Sequence, residues 1–475
     1  MAEDLDIIIN EAELGDASLK YMLKLAGPMV VTNISFTVMQ FVDRFMVSRL
    51  GTEALAAILP AGIVSFIPAS FALGVMISVN TFVSQSLGRG DKESCSNYCW
   101  QAIYMGFAYF LVVIAIMWPG GPWIFRWFGH EPAVVELEVT YLRIMLYAQF
   151  LTTMIWASSQ FFMGIHRPII TMYSSVTSQF VNIGFNYLLI FGKFGFPAMG
   201  VAGAGWGTFI GLAVGAGLRM GVFLGSGINR EYKSRQSFSI DFSKMRDLIK
   251  IGCPAGLGFM INMAFWGVIL FGLVGRFGKE SLAATSAVFS CMNVSFMPIV
   301  GLGTALTAAV GKAIGADRKD IAIKQTSVCL RIALVYMGII GLCFFVFRED
   351  LMTFWSSDDK VVSIGTKIFV CAAVFQVFDA ILIIYADALR GAGDTLWLAV
   401  IEASGSAVIL GIGGYCMLTF FPELGAMGPW MAATVKIIIV SFLVRWRFKS
   451  NHWMRIDLFK RRIVEVPTEI KTIVE

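Results

Sequence analysis

MVSRLGTEALAA at 46–57 and LVGRFGKESLAA at 273–284 are two copies of one segment, identical at seven of twelve positions and offset by 227 residues. The same offset pairs SLGRGDK (86–92) with AIGADRK (313–319) and FMGIHRP (162–168) with LRGAGDT (389–395). An offset of 226 pairs Lys24 and Pro28 with Lys250 and Pro254. Six apolar runs separate the copies, an even number, so both halves enter the membrane in one orientation. Parallel repeats of this kind build two six-helix lobes around a central cavity. The expected organisation is a cytoplasmic N-terminal segment (1–20), an N-lobe (21–226), a basic cytoplasmic linker (227–246), a C-lobe (247–446) and a basic cytoplasmic tail (447–475).

The rest of the chain agrees with a membrane reading. Of 475 residues, 57% are hydrophobic and 15% charged, and the mean hydropathy is +0.74. Soluble domains run near 45–50% apolar and about 25% charged. A water-facing globule of this composition would expose large apolar patches. Runs long enough to cross about 30 Å of hydrocarbon fall at 21–48, 54–86, 99–120, 137–163, 169–192, 199–226, 247–275, 282–315, 326–347, 362–389, 396–420 and 425–446. The expectation is an all-α integral membrane protein of twelve spans, with almost nothing left for a soluble domain. The first nineteen residues lack the basic start, apolar stretch and cleavage site of a signal peptide, so insertion is expected to rely on the first span. Lys and Arg gather in the linker (Arg230, Lys233, Arg235, Lys244, Arg246, Lys250), at Lys312, Arg318, Lys319 and Lys324, and in the tail. By the positive-inside rule both termini are expected in the cytoplasm.

Other features exclude chemistry. The eight cysteines form no CxxC pair; Cys95 and Cys99 are one turn apart without a histidine cluster and read as buried small hydrophobes. Three histidines, His130, His166 and His452, stand apart in polar segments or turns, and no HExxH, GxSxG or Walker motif occurs. Neither a membrane-embedded enzyme nor an ATP-driven pump is expected, and no nucleic-acid partner is implied by a net charge of +5 spread over loops and tail.

The motifs carry a resemblance. QFVDRFMVSRLG (40–51), SQSLGRGD (84–91), MGIHRP (163–168), MGVAGAGWGT (199–208), KIGCPAG (250–256), FDAILIIYADALRGAGDT (378–395) and LGAMGPW (424–430) occur in this order across about 20–450. With them the chain resembles the multidrug and toxic compound extrusion (MATE) family, its bacterial NorM-like branch above all. The resemblance implies a V-shaped, twelve-helix antiporter of two lobes that expels organic, often cationic, compounds in exchange for Na⁺ or H⁺. It implies a multi-pass plasma-membrane protein (inner membrane if bacterial) working as a monomer, with a small organic molecule and membrane lipid as partners. No cofactor is expected beyond the coupling ion.

Intramembrane acids are the residues to explain, since each costs roughly 2.5–3.5 kcal/mol at the bilayer centre on insertion scales. Asp43 borders a stripe of Asn33, Thr37, Gln40 and Arg44 at 4-3-4 spacing, which is expected to face the interior. It reads as an ion-coupling carboxylate, or as a partner of Arg44 at the outer interface. Asn182 and Asn186 share a helix face and reach a similar depth, as does Thr208. One carboxylate, two amides and a hydroxyl suit a hard cation such as Na⁺; Asp43 is equally suited to carry a proton, and asparagines also serve as interhelical hydrogen-bond glue. The resemblance implies that Asp43, Asn182, Asn186 and Thr208 belong to an N-lobe cation site, with Asn186 replacing a carboxylate of some relatives. Asp379 lies near the middle of the tenth span with Gln376 one turn before it, and the resemblance implies cation or substrate binding there. Asn262 stands where NorM-like members carry Glu. Asp387 reads as a solvated or Arg390-paired group. Gln40, Asn262, Gln376 and Glu402 are weaker candidates for the substrate cavity, Glu402 doubling as a residue reaching for the cytoplasmic end. The repeat counterparts of Asp43 and Asp379 are Leu270 and Thr152, so neither acid is demanded by the shared scaffold. Pro28 and Pro254 can kink the first helix of each lobe and act as gates, or as static bends.

The function expected is secondary active export by alternating access. One charge crossing 100 mV supplies about 2.3 kcal/mol, a gradient of about fifty-fold. A lipid-linked oligosaccharide flippase of the related superfamily is the alternative, disfavoured because the intramembrane charges identified are mainly acidic. A channel is disfavoured by the two-lobe repeat.

Overall fold

A computed structural model describes residues 17–127 and 132–459. His130, most of the N-terminal segment and the basic tail beyond 459 lie outside the described residues. The long helical runs are α1 (Leu19–Ser48), α2 (Thr52–Gly88), α3 (Lys92–Trp127), α4 (Pro132–Gly164), α5 (Pro168–Phe191) and α6 (Gly200–Phe223), followed by α7 (Phe242–Gly275), α8 (Lys279–Gly315), α9 (Lys319–Val346), α10 (Asp359–Ala392), α11 (Thr395–Phe420) and α12 (Met427–Lys449). Ten are long and apolar enough to cross a membrane. Twelve spans are expected from the sequence; of the twelve long helices among the described residues, α4 and α5 fall outside that ten. Their sequences explain it: beyond its charges at Glu136, Glu138 and Arg143, α4 carries Gln149, Thr152, Thr153, Ser158, Ser159 and Gln160, and α5 is rich in Ser, Thr, Gln and Asn. Within α5 the buried positions include Ser174, Ser175, Gln179, Asn182 and Asn186, so its polar residues turn inward.

Local chemistry sets the helix ends. The Ser18 hydroxyl accepts from the Tyr21 amide at the start of α1, and Asp241 and Asp358 cap α7 and α10 in the same way. Gly192 and Gly393 end α5 and α10 in the left-handed region (φ 64° and 87°), where a Cβ is disfavoured. Helix α7 starts at Phe242, and a short helix, Ser226–Tyr232, precedes it. Most of the stretch 227–246 is thus structured: Lys92 and Arg167 both reach Glu231, at 3.3 Å and 2.5 Å.

The packing repeats with the sequence. Helix α2 lies against α4, and α8 against α10; α1 lies against α5, and α7 against α11; α4 lies against α6, and α10 against α12. Between lobes α2 packs on α7 while α8 packs on α1, so the first helix of each lobe lies on the second helix of the other. Lipid offers no hydrophobic drive for this, so close approach of small residues supplies it. A Cβ on Gly74 would stand 2.4 Å from the Gly256 Cα, and one on Gly301 would stand 2.9 Å from the Val30 nitrogen and 3.1 Å from the Met29 carbonyl carbon. Gly74 and Gly301, like Met29 and Gly256, are related by the repeat offset. Pro28 and Pro254 each stand immediately before these crossings.

A second pair of contacts closes one end. A Cβ on Gly88 would meet the Lys312 carbonyl at 2.1 Å, and one on Gly315 would meet the Gln85 carbonyl at 2.1 Å. These are one contact made twice, since Gln85 and Lys312 are also repeat mates. Ser84 faces its own mate: a Cβ on Gly311 would fall 2.0 Å from the Ser84 Oγ. Position 84/311 therefore sits on the pseudo-twofold axis. Hydrogen bonds across the lobes gather here, from Thr81 to the Arg390 carbonyl (2.8 Å) and from Gln85 to the Gly391 carbonyl (2.9 Å). Asn33 reaches the Met297 carbonyl (3.1 Å) about half-way along α1. After α12 the chain crosses the same end. Leu458 packs on Gly393, Phe459 meets Phe82 edge-on at 6.2 Å, and Asp457 pairs with Arg89 at 3.4 Å, the Arg89 guanidinium lying over the Phe459 ring.

His166, in the turn between α4 and α5, links the lobes as well. Its Nδ1 lies 2.7 Å from the Tyr21 hydroxyl and its Nε2 3.2 Å from the Ala308 carbonyl. Burial, and secondarily the Lys312 charge, push its pKa down to about 4. Above about pH 6.5 the ring is neutral folded or unfolded. Between about 6.5 and 4 the unfolded chain takes up a proton that the folded one does not, so stability falls as pH falls. The expected loss is on the order of 2 kcal/mol across this window. His166→Gln, which keeps polar partners without titrating, is expected to flatten the acid side of an apparent Tm profile in detergent; an identical acid slope in both proteins would remove His166 as its source.

Candidate functional site

Two polar clusters lie inside the helices, one in each lobe, and they differ in kind. In the N-lobe α1, α5 and α6 contribute one hydrogen-bonded chain. The Asn186 amide nitrogen donates to Asp43 Oδ1 (2.8 Å) and to Asn182 Oδ1 (3.2 Å), the Asn182 amide donates to Thr208 Oγ1 (3.2 Å), and Thr208 donates to the Ala204 carbonyl (2.9 Å). The i, i+4 spacing of Asn182 and Asn186 makes this possible by placing both amides over one face. The Asn186 Oδ1 is buried and without a partner, and it lies against the backbone of α6, where a Cβ on Gly207 would meet it at 2.0 Å. Glycine at 207 is what lets α5 and α6 close on this amide. All four predicted N-lobe residues are brought together. Gln40 and Arg44 of the same stripe are exposed, while Asn33 and Thr37 are half-buried.

The C-lobe cluster is built on charge. Arg390 bonds Asp387 (2.8 Å) and Glu402 (3.4 Å), which joins α10 to α11. Gln376, buried, donates to the Ser295 hydroxyl of α8 (3.1 Å). Asp379 is buried and makes no hydrogen bond or ion pair within 4 Å among the described residues. Arg390 and Glu402 line a small crevice with Gly74, Ile77, Gly258 and Phe259, where α2 of one lobe faces α7 and α11 of the other. Lys436 of α12, 1% exposed, points its Nζ at Asn262 Oδ1 (3.5 Å), and its charge acts on Asp379 and Glu402. A second buried cation, Arg219 of α6, is held by the Gly215 carbonyl (3.0 Å), the Ser175 hydroxyl (2.5 Å) and the Thr171 carbonyl (3.4 Å). Neither Lys436 nor Arg219 was singled out in the sequence, although each is a lone cation inside an apolar run. No group of three or more His, Cys, Asp or Glu side chains that could hold a metal ion occurs among the described residues.

These helices and clusters can be set beside known proteins. A model of the MatE family matches residues 28–188 and 254–415, one stretch in each lobe. The chain belongs to the MatE family. Among curated relatives it is 27% identical over 452 residues to a probable multidrug resistance protein NorM of Mesorhizobium japonicum, covering 92% of this chain and 94% of that one. A protein of the same description from Geobacillus kaustophilus is 26% identical, covering 90% and 94%. Among solved structures a MOP superfamily transporter from Pyrococcus furiosus superposes with a TM-score of 0.84 at 19% identity, covering 93% and 98%. The outward-facing conformation of a multidrug resistance MATE family transporter superposes at 0.83, also at 19% identity, covering 92% and 98%. As a MatE protein this chain is a multi-pass membrane transporter and not an enzyme. The two-lobe, parallel-repeat fold expected from the sequence is the fold it has.

Proposed function

We propose that this MatE protein is a secondary active exporter that exchanges Na⁺ or H⁺ for organic compounds of cationic or zwitterionic character. The observation that carries the reading is the chain of Asp43, Asn186, Asn182 and Thr208: a carboxylate inside a membrane helix, reached by polar groups of two others, and absent from the repeat-related positions. The names of its relatives, multidrug resistance proteins, support the export direction. Asp43 is the ion-coupling group. A proton neutralises it with the amide chain as it stands. Na⁺ would need the two amides to turn their oxygens toward the ion, and the unpartnered Asn186 Oδ1 is the first oxygen available. Pro28 and Pro254, next to the Gly301 and Gly74 crossings, are the gating positions, and the termini face the cytoplasm. Ion binding at Asp43 favours the state that releases substrate, by its differential affinity for the two states.

Efflux of a fluorescent organic cation from proteoliposomes tests the reading, with a Na⁺ gradient and a pH gradient imposed separately. Transport driven by one gradient alone is expected and names the ion. Equal, downhill-only leakage under both would end the antiporter reading.

A further inference from the structure

The repeat shows where the two lobes part company. Asp43, Asn182, Asn186 and Thr208 of the N-lobe correspond to Leu270, Ile409, Gly413 and Val435, none of which is an ion ligand. Over the first three of these positions the backbone itself departs from α-helix. Helices α7 and α11 pass into π-turns at Phe265–Leu270 and Ser406–Gly413, side by side, a distortion frequent at functional sites. One residue after Val435 stands Lys436, whose N-lobe mate is Phe209. The same stretch of the sixth helix thus carries a hydroxyl ligand in one lobe and an ammonium in the other.

A buried ammonium is tolerated only with compensation. Lys436 has the Asn262 amide oxygen at 3.5 Å and the Trp266 ring centroid at 5.9 Å, both on α7. Beyond these, the acids whose charge acts on it are Asp379 on α10 and Glu402 on α11, neither of them within 4 Å. Arg390 is bound to Asp387 and Glu402, and Lys436, buried on α12 where it packs on α10, is the remaining cation that offsets the buried Asp379. The cluster therefore holds three carboxylates against two cations, one net negative charge.

We propose that Lys436 is a resident cation of the C-lobe: from within the chain it offsets the charge of the buried Asp379 at longer range than an ion pair, and it sets the charge of accepted substrates, favouring monocations and zwitterions over dications. The inference rests on the export reading above. One unit of positive charge balances the cluster. A second finds no partner there, and its cost is not screened as it would be in water.

The test is binding of two dyes of one ring system, ethidium with a single charge and propidium with two, to purified protein in detergent. The wild type is expected to prefer ethidium. Lys436→Met and Lys436→Gln are expected to tighten propidium relative to ethidium by about tenfold, whereas Lys436→Arg keeps the wild-type ratio. Adding Asp379→Asn to Lys436→Met restores the net charge and is expected to restore the ratio. The double variant is also expected to be more thermostable than either single variant, a readout that survives if the neutral variants fold poorly. An unchanged dye ratio, additive losses of stability, or binding of neither dye to any variant would overturn the proposal. Charge-dependent binding without ion-driven ethidium efflux by the wild type would instead remove the export reading and leave the assignment of Lys436 in place.

Discussion

Asp43→Asn is expected to abolish ion-driven efflux while leaving the protein folded and inserted. Asparagine keeps an oxygen where Asp43 Oδ1 accepts the Asn186 amide at 2.8 Å, so the hydrogen-bonded chain through Asn182 to Thr208 can persist. What disappears is the charge. A neutral amide cannot release a proton or attract Na⁺, so no gradient acts on the equilibrium between states. Substrate binding is expected to survive, since the C-lobe cluster is untouched, and apparent Tm should stay close to that of the wild type. Efflux that still follows an imposed gradient in this variant would sink the assignment of Asp43.

Locking the seam where α2 and α8 end should have an effect as large. In the variant Ser84→Cys with Gly311→Cys two thiols face each other on the pseudo-twofold axis. A Cβ on Gly311 would be 3.0 Å from that of Ser84, so a shift of under about 1 Å reaches the 3.5–4.5 Å of a disulfide. Oxidation is expected to stop transport by holding the lobes together at this end, and reduction to restore it. The native cysteines make no disulfide among the described residues, which makes the uncross-linked parent a clean control. Full-rate efflux from completely cross-linked protein would mean that this end stays shut throughout the cycle.

The outline of these results was legible in the sequence because repeats and hydropathy are read directly. The offset that joins 46–57 to 273–284 also relates Gly74 to Gly301 and Gly88 to Gly315, so the lobe crossings inherit a symmetry already visible in the string. The N-lobe cluster followed from helical spacing, since Asn182 and Asn186 had to share a face and Asp43 lay at their depth. The C-lobe resisted for two reasons. Intramembrane acids stand out in the sequence, while the cation buried among them is Lys436, the one charge in α12 before the basic residues of its last two turns. The π-turns of α7 and α11 leave no mark on hydropathy, because an apolar run of one composition can form either turn.

The segment that follows α12 returns to the opposite lobe, with Asp457 meeting Arg89 across 368 residues of chain. In synthesis order the partner residues of α2 follow it only after the whole of the C-lobe. At a ribosomal rate of about 5–20 residues per second, Phe82 and Arg89 wait on the order of half a minute for Phe459 and Asp457. The N-lobe therefore passes through the insertion machinery with one end uncapped, and its completion is timed by the C-lobe. A slow step anywhere between α3 and α12 lengthens the life of that unfinished surface, so defects located in the second lobe should be felt as misassembly of the first.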